Sequence, residues 1–451
     1  MQKFSVEDIL RATGGELIAG EKTTIITGVA TDSREVKAGY LYVALKGARV
    51  DGHIFFDDVF EKGAAAVLSE KDYQTEKGAV IKVENTLKAL GDSAKGYLAK
   101  YRVPVVAVTG SIGKTSTKDM VWSVLSSKYN VLKNIGNRNS EVGMPLTVFD
   151  LEAEHEMAVL EMGMEQFGEI HRLVDIARPE AALITNIAMS HIENLGSQEG
   201  ILQAKLEVTD FFGEDNMLFV NGDDKFLKTV SGEFQIEFYG KGENCGLKAA
   251  DIEDKGILGS EFTVTSGGES CRVRVNAPGV HNVYNALAAI GVGMRFGINM
   301  ADAAKAIENA EITDMRLTVE ETDGLTIIKD YYNAGPISVM ASLEVLASVK
   351  DKRRIAVLGD MLELGEFSKD EHRKIGMAVP DYADALITAG REAMEIAKTA
   401  SEAGLEKVMA FPNTDAAAAE VNCYIEKGDC VLIKASRGMQ FEKIYEKIKN
   451  K

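Results

Sequence analysis

A run of apolar, largely β-branched residues, VPVVAV, passes directly into Thr109-Gly110-Ser111-Ile112-Gly113-Lys114-Thr115 and then into the helical pattern TSTKDMVWSVLSS. Such a run reads as a buried parallel strand, and a glycine-containing loop between strand and helix places backbone N–H groups and a helix N-terminus around phosphate oxygens. Lys114 supplies positive charge, Thr115 has the hydroxyl position that ligates Mg2+, and Gly110 and Gly113 let the backbone approach without a Cβ. Thr109, Ser111, Ile112 and Ser116 complete the expected nucleotide-binding segment. The strict GxxxxGK[ST] spacing is not met, because Val108 stands at its first glycine. The alternative is an ordinary strand-to-helix turn carrying an exposed lysine.

The chain has 451 residues, 45% hydrophobic and 27% charged, and at about 150 residues per domain it has material for roughly three domains. Its formal charge of -18 repels a nucleic-acid backbone at long range, which argues against a nucleic-acid motor while leaving room for local basic pockets. Cys245, Cys271, Cys423 and Cys430 form no CxxC pair and no zinc-ligand spacing, so neither a disulfide framework nor a zinc site is expected. The N-terminal MQKFSVEDILRATGG does not read as a signal peptide, and no apolar run approaches a membrane span. A cytoplasmic protein is expected.

The text divides into three. Residues 1–100 alternate short strands and helices broken by glycine, a small α/β module. Residues 101–312 alternate VVAVTG, MAVLEMG and AALITNIA with helical segments, which predicts a mostly parallel sheet covered by helices; after Asn221, FQIEFYG and EFTVTSGGESCRVRV read as hairpins. Residues 313–451 repeat the βα rhythm through LTIIKDYYN, RIAVLGDM, ADALITAG and CVLIKAS, predicting a second doubly wound, Rossmann-like domain. The fold class is therefore α/β.

Glu161 in VLEMG and His191 in TNIAMSHIEN fall at or beyond strand ends, on the same carboxyl edge as the phosphate loop. Both can converge on the Mg2+ of bound ATP, although a lone histidine there is more often a loop or core residue than a ligand. Lys205 in QAKLE is by default a helical lysine reaching solvent. Buried beside a metal, its neutral amine can instead react with CO2 to give a carbamate.

TGSIGKTSTK, NIGNRNSEVGMP, VLEMG, TNIAMSHIENLGS with QAKLE, and APGVHNVYNALAA occur in the order found in Mur ligases, and the chain resembles that family. The resemblance implies Thr115, Glu161, His191 and carbamylated Lys205 around Mg2+, Asn282 close to the adenine, and Asn137 and Asn139 toward the muramoyl substrate. DMRLTVEE, IKDYYNAGP, VLGDMLELGEFSKDEH and KASRGMQFEKI extend the match, implying Arg316 at the ATP phosphates, Asp330 and Asn333 toward the nucleoside, and Ser436 and Arg437 toward substrate. Within the family GDMLELG, with His372 after it, and KASRGM look like the member that adds D-alanyl-D-alanine. The N-terminal block from ATDSREVKAG onward resembles a UDP-binding module, with Ser33 and Arg34 as uridine-diphosphate candidates. Asp51-Gly52-His53 is either part of that site or a polar turn.

The implied activity is ATP-dependent amide ligation: Lys114, Glu161, His191, Lys205 and Arg316 would act while the carboxylate of a UDP-N-acetylmuramoyl-tripeptide becomes an acyl phosphate that D-alanyl-D-alanine attacks. The product is a UDP-muramoyl-pentapeptide for peptidoglycan synthesis, with residues 1–100 binding the UDP-muramoyl substrate, 101–312 binding ATP, and 313–451 binding ATP and the dipeptide. No nucleic acid or membrane partner is expected. One departure stands out: the family has YNANP where this chain has Tyr332-Asn333-Ala334-Gly335-Pro336, so an amide is missing from the nucleotide-facing loop. A related Mur-type or folylpolyglutamate-type ligase, or an inactive nucleotide-binding scaffold, are the alternatives.

Overall fold

The structure, a computed structural model, describes residues 1–47 and 50–451; Ala48 and Arg49 of the N-terminal block lie outside the described residues. Three sheets organise the chain. The first runs Glu16–Ala19, Ala79–Lys82, Ala66–Ser69, Tyr40–Val43, Gly28–Ala30, parallel except at its first strand. Ala66–Ser69 is buried along its whole length, as an apolar strand covered on both faces must be. Helix Thr86–Tyr101 follows, its first turn capped by Asn85, whose Oδ1 accepts from Lys88 N at 2.8 Å.

That helix packs on Gly143–Phe149 and Glu169–Ala177 of the next unit, so the first sheet and the middle one share a continuous core. Phe4, Tyr97 and Phe149 form its aromatic centre, with Tyr97 centroid distances of 5.2 Å to Phe4 and 5.4 Å to Phe149.

The middle sheet has nine strands, with Val105–Thr109 between Met157–Glu161 and Ala181–Ile184. Successive strands are laid down on opposite sides of Val105–Thr109, which opens a crevice at the carboxyl ends of these three strands. Gln235–Gly240, expected as half of a hairpin, instead pairs parallel with Met217–Asn221. The loop from Asn221, with its 3-10 turn Leu227–Thr229, carries the chain back to start in the same direction. The hairpin is Ser260–Ser266 with Glu269–Val275, joined through Gly267 and Gly268.

The last sheet runs Thr318–Thr322, Leu325–Asp330, Cys430–Lys434, Arg354–Gly359, Ala385–Ala389, Val408–Phe411, parallel except at Thr318–Thr322. Asp323 and Gly324 both adopt positive φ in its two-residue turn. Its carboxyl edge, bearing Asp330, Asp360 and Lys434, closes over the crevice of the middle sheet. Among the described residues no helix is long and apolar enough to cross a membrane.

Tyr97 Oη accepts from Gln2 N at 2.6 Å and donates to the Leu151 carbonyl at 2.8 Å, both inside the shared core. Tyr97→Phe leaves these two groups unpaired, and urea denaturation is expected to show a loss of about 1–3 kcal/mol. An unchanged midpoint would mean that the joint is held by packing alone.

Candidate active site

Gly110 and Gly113 set the phosphate loop. Gly110 has φ 142° and its missing Cβ leaves space for Thr185 Oγ1; Gly113 has φ 82° and starts helix Lys114–Ser126 with no side-chain cap, so the first-turn N–H groups face the crevice. Thr185 and Asn186 brace the loop from the neighbouring strand end. Thr185 Oγ1 and Asn186 Nδ2 donate to the Ile112 carbonyl at 2.6 and 2.9 Å, and Asn186 Oδ1 accepts from Ile112 N at 3.0 Å. Lys114 Nζ folds back onto the Gly110 and Ser111 carbonyls at 2.8 and 3.2 Å. Burial pulls the Lys114 ammonium below its ordinary value, Glu161 opposing this and Arg316 adding to it.

Glu161 ends its strand almost out of water, 2% exposed. One carboxylate oxygen accepts from Thr115 Oγ1 at 2.7 Å and the other from Asn139 Nδ2 at 2.8 Å. Asn134 clips its backbone from both sides, accepting from Glu161 N at 2.9 Å and donating to Glu161 O at 3.0 Å. Lys205, in helix Gln198–Leu206, is 2% exposed and has no ion-pair or hydrogen-bond partner among the described residues. Burial, with Lys114 close by, pushes its amine well below the usual lysine range. His191 takes the left-handed conformation at φ 55° and its Nδ1 meets Glu363 Oε2 at 2.8 Å across the gap to the last sheet. Glu363 is itself left-handed at φ 64°, a conformation uncommon for non-glycine residues that tends to mark functional contacts.

From the last sheet, Asp330 Oδ2 accepts from Lys434 Nζ and Ser342 Oγ, both at 2.6 Å. Arg316 stacks on Tyr332 at 4.0 Å and its Nε is buried without a partner. The cavity between the two sheets measures about 1130 Å³, room for a nucleotide and more. Lys114, Arg316 and Lys434 line it together with Glu161, Asp330 and Glu363; the N-terminal module reaches it through Leu87.

The structure brings Ser111, Ile112, Gly113, Lys114, Ser116, Asn139, Glu161, His191, Arg316, Asp330 and Asn333 to this cavity. Thr109, Gly110, Thr115 and Lys205 are not among its lining residues. Asn282 also lies off the cavity: its amide goes to the Pro278 carbonyl and its Oδ1 to Asn285, and Asn285 is the residue at the wall. Asn139 lines the cavity while donating to Glu161, whereas Asn137 is exposed and not part of the lining. Ser436 is buried, its Oγ holding Leu362 N at 3.0 Å, and Arg437 pairs with Glu442 at 3.0 Å on the surface. Ser33 and Arg34 do not line the cavity; the Arg34 guanidinium is bound to its near neighbour Asp32 at 2.5 Å and 85% exposed. His372, a marker of the GDMLELG segment, holds that loop by accepting from Met361 N at 3.0 Å. Asp51-Gly52-His53 forms a polar turn, with His53 Nε2 accepting from Glu70 N at 2.9 Å.

Thr185, Asn186, Asn134, Asn285, Lys434 and Glu363 are functional-site residues not singled out from sequence. Thr185 and Asn186 stand within TNIAMSHIEN, Asn285 within APGVHNVYNALAA and Glu363 within GDMLELG, so their motifs carried a signal. Asn134 opens NIGNRNSEVGMP and Lys434 opens KASRGM, so they too stood within quoted segments, with nothing in the segment to mark those positions.

Three family descriptions match: the Mur ligase family catalytic domain over residues 25–98, the Mur ligase middle domain over 108–293, and the Mur ligase glutamate ligase domain over 315–437. The chain is 41% identical to the UDP-N-acetylmuramoyl-tripeptide–D-alanyl-D-alanine ligase of Bacillus subtilis (strain 168), covering 98% of both chains, and 33% identical to that of Escherichia coli (strain K12), again covering 98% of both. Its fold matches a crystal structure of MurF from Acinetobacter baumannii at TM-score 0.92 and 29% identity over 100% of both chains. MurF ligase from Thermotoga maritima in complex with ADP matches at TM-score 0.82 and 29% identity over 94% of this chain and 97% of that one.

Gly335 occupies the cap position of helix Pro336–Ser348 with extended backbone, φ -152°, and nothing lies within 4 Å of where a Cβ would stand. No steric demand therefore keeps glycine there. Gly335→Asn is expected to fold normally and gain from a few tenths to about 1 kcal/mol in thermal unfolding, as a better cap with a less flexible unfolded chain; a loss would reveal crowding around the loop.

Proposed function

The chain belongs to the Mur ligase family, and we infer from its site how it acts as an ATP-dependent amide ligase, joining D-alanyl-D-alanine to a UDP-N-acetylmuramoyl-tripeptide in peptidoglycan synthesis. The observation that carries the chemistry is the convergence of Lys114 from one sheet and Arg316 from another on a single cavity beside Glu161. A related ligase of the folate type is not favoured, since folylpolyglutamate synthase shares only the fold at 14% identity. An inactive scaffold is not favoured either, because the loop, carboxylate and buried lysine are all in place.

The tripeptide carboxylate is a poor electrophile, and transfer of the ATP γ-phosphoryl group to it gives an acyl phosphate that an amine can attack. Loop N–H groups and Lys114 hold the phosphates while the Arg316 guanidinium, its Nε unpaired and buried, neutralises charge on the group in transfer. Asp330 keeps one carboxylate oxygen free of the Lys434 and Ser342 bonds, available to a ribose hydroxyl. The dipeptide amine then forms the C–N bond and phosphate leaves.

The donor set at Glu161 suits Mg2+: a hydroxyl and a carboxylate are hard oxygen ligands, and His191 lines the same cavity. Thr115, Glu161, His191 and Lys205 as its carbamate would hold the ion, which offsets phosphate charge when bound. Support for the carbamate is the unpaired, buried Lys205 amine, whose burial favours the neutral form that can take up CO2. Residues 1–100 are assigned to the UDP-muramoyl substrate, 101–312 to ATP, and 313–451 to ATP and the dipeptide, in a protein working in the cytoplasm. Closure of the last domain on the middle one excludes water from the acyl phosphate.

Phosphate release from ATP is expected only with UDP-muramoyl-tripeptide and D-alanyl-D-alanine together; release driven by a single diamino acid or by glutamate overturns the acceptor. Lys205→Ala is expected to lose turnover by at least about 100-fold and to regain part of it with short carboxylic acids. Full activity without them removes the carbamate.

A further inference from the structure

Lys118 and Asp119, in the helix that the phosphate loop opens, are charged side chains only 2% and 1% exposed. Neither touches the nucleotide cavity. Asp119 Oδ1 meets Lys133 Nζ at 2.9 Å and Lys118 Nζ at 3.3 Å, while its Oδ2 accepts from Thr313 Oγ1 at 2.6 Å and Thr313 N at 3.2 Å. Burial alone raises the Asp119 carboxyl, but Lys118, the Thr313 hydroxyl and Lys133 more than offset it and hold it below the ordinary carboxylate value. A buried ion pair is a weak source of stability, because desolvation cancels much of its attraction; its best-attested use is to fix one arrangement against others.

Thr313 lies in the connection between helix Met300–Glu308 and strand Thr318–Thr322, where the chain leaves the middle sheet for the last one. Three residues on stands Arg316, flanked by Met315 and Leu317, both left-handed at φ 62° and 57°. Backbone held that way is over-determined by its surroundings. From the other end of the network, Lys118 Nζ donates to the Asn134 carbonyl at 3.0 Å, and the Asn134 side chain is the clip on the Glu161 backbone. A continuous chain of polar contacts thus runs Thr313, Asp119, Lys118, Asn134, Glu161.

We propose that Asp119 is a positioning residue that pins the inter-domain connection at Thr313 to the phosphate-loop helix, so that Arg316 of the last domain and Glu161 of the middle one are set in register across the nucleotide. It acts through Thr313 and Asn134 and contacts no substrate. The helix that binds phosphate at its start therefore also carries the anchor of the domain that must close over it.

The inference rests on the ligase reading for the roles of Arg316 and Glu161, and the test separates the two. Thr313→Val removes the hydroxyl donor without stranding a buried charge, and Thr313→Ser restores it without the methyl. In the full chain with ATP, UDP-muramoyl-tripeptide and D-alanyl-D-alanine, Thr313→Val is expected to lower kcat on the order of 10- to 100-fold, the scale of a small misplacement remote from the chemistry. KM for the muramoyl substrate should stay near the parent's and the urea midpoint should fall by no more than the loss of one charge-assisted hydrogen bond, while Thr313→Ser should recover parental kcat. Parental kcat in Thr313→Val, or a Thr313→Ser enzyme as slow as it, overturns the inference. So does a Thr313→Val enzyme that is partly unfolded without urea, which would mark a merely structural contact. A parent chain that releases no phosphate would instead count against the ligase reading.

Discussion

A carboxylate taken almost completely out of water must be met on both oxygens, and the middle domain is arranged to do this for Glu161. Thr115 comes from the phosphate-loop helix, Asn139 from the loop after strand Val131–Lys133, and Asn134 fixes the backbone between them. Removing any one leaves a buried polar group short of partners, which is why the loop, two strands and the helix hold one mutual geometry. The crevice at the sheet's carboxyl edge is the empty side of that arrangement.

The second wall comes from a separate sheet, and the two are joined by polar contacts more than by a common core. His191 meets Glu363 across the gap, and Gly365 lies against the side chain of Glu193. The N-terminal module differs, since its long helix shares an apolar core with the middle domain. An apolar joint is non-directional and costly to open, whereas a small polar interface separates and re-forms, so motion is expected between the last domain and the other two. The cavity also resolves the apparent conflict between a net charge of -18 and a polyphosphate ligand. Lys114 and the loop N–H groups offer local phosphate donors in a lining where Glu161, Asp330 and Glu363 balance the cations, so no net positive field is needed.

Much of the site was legible because its parts are local. A strand, a glycine turn and a helix that follow one another in the chain can only form one kind of loop, and Glu161 stands at the end of a run that is apolar at every position. Asn282 against Asn285 shows the limit: the two are one helical turn apart, and only the packing of that helix on Lys114–Ser126 decides that Asn285 faces the cavity, with its Oδ1 accepting from Thr117 Oγ1 at 3.0 Å. Asn139, expected toward the substrate, lines the cavity, and its amide also donates to a carboxylate 22 residues away, a contact that no local pattern shows. Gln235–Gly240 reads alike as a hairpin arm or a parallel strand, because alternation along a strand carries no record of its neighbour's direction.

The amino-acid sequence by itself determined the α/β alternation, the phosphate loop and the acid at the strand end, since each depends on residues within a turn or a strand of one another. Tertiary structure alone decided which polar side chains are spent on the protein and which face the cavity. Lys434 reaches Asp330 over 104 residues, and Thr313 reaches Asp119 over 194. Contacts at that separation are set by how finished sheets and helices dock, a geometry with no local pattern to announce it.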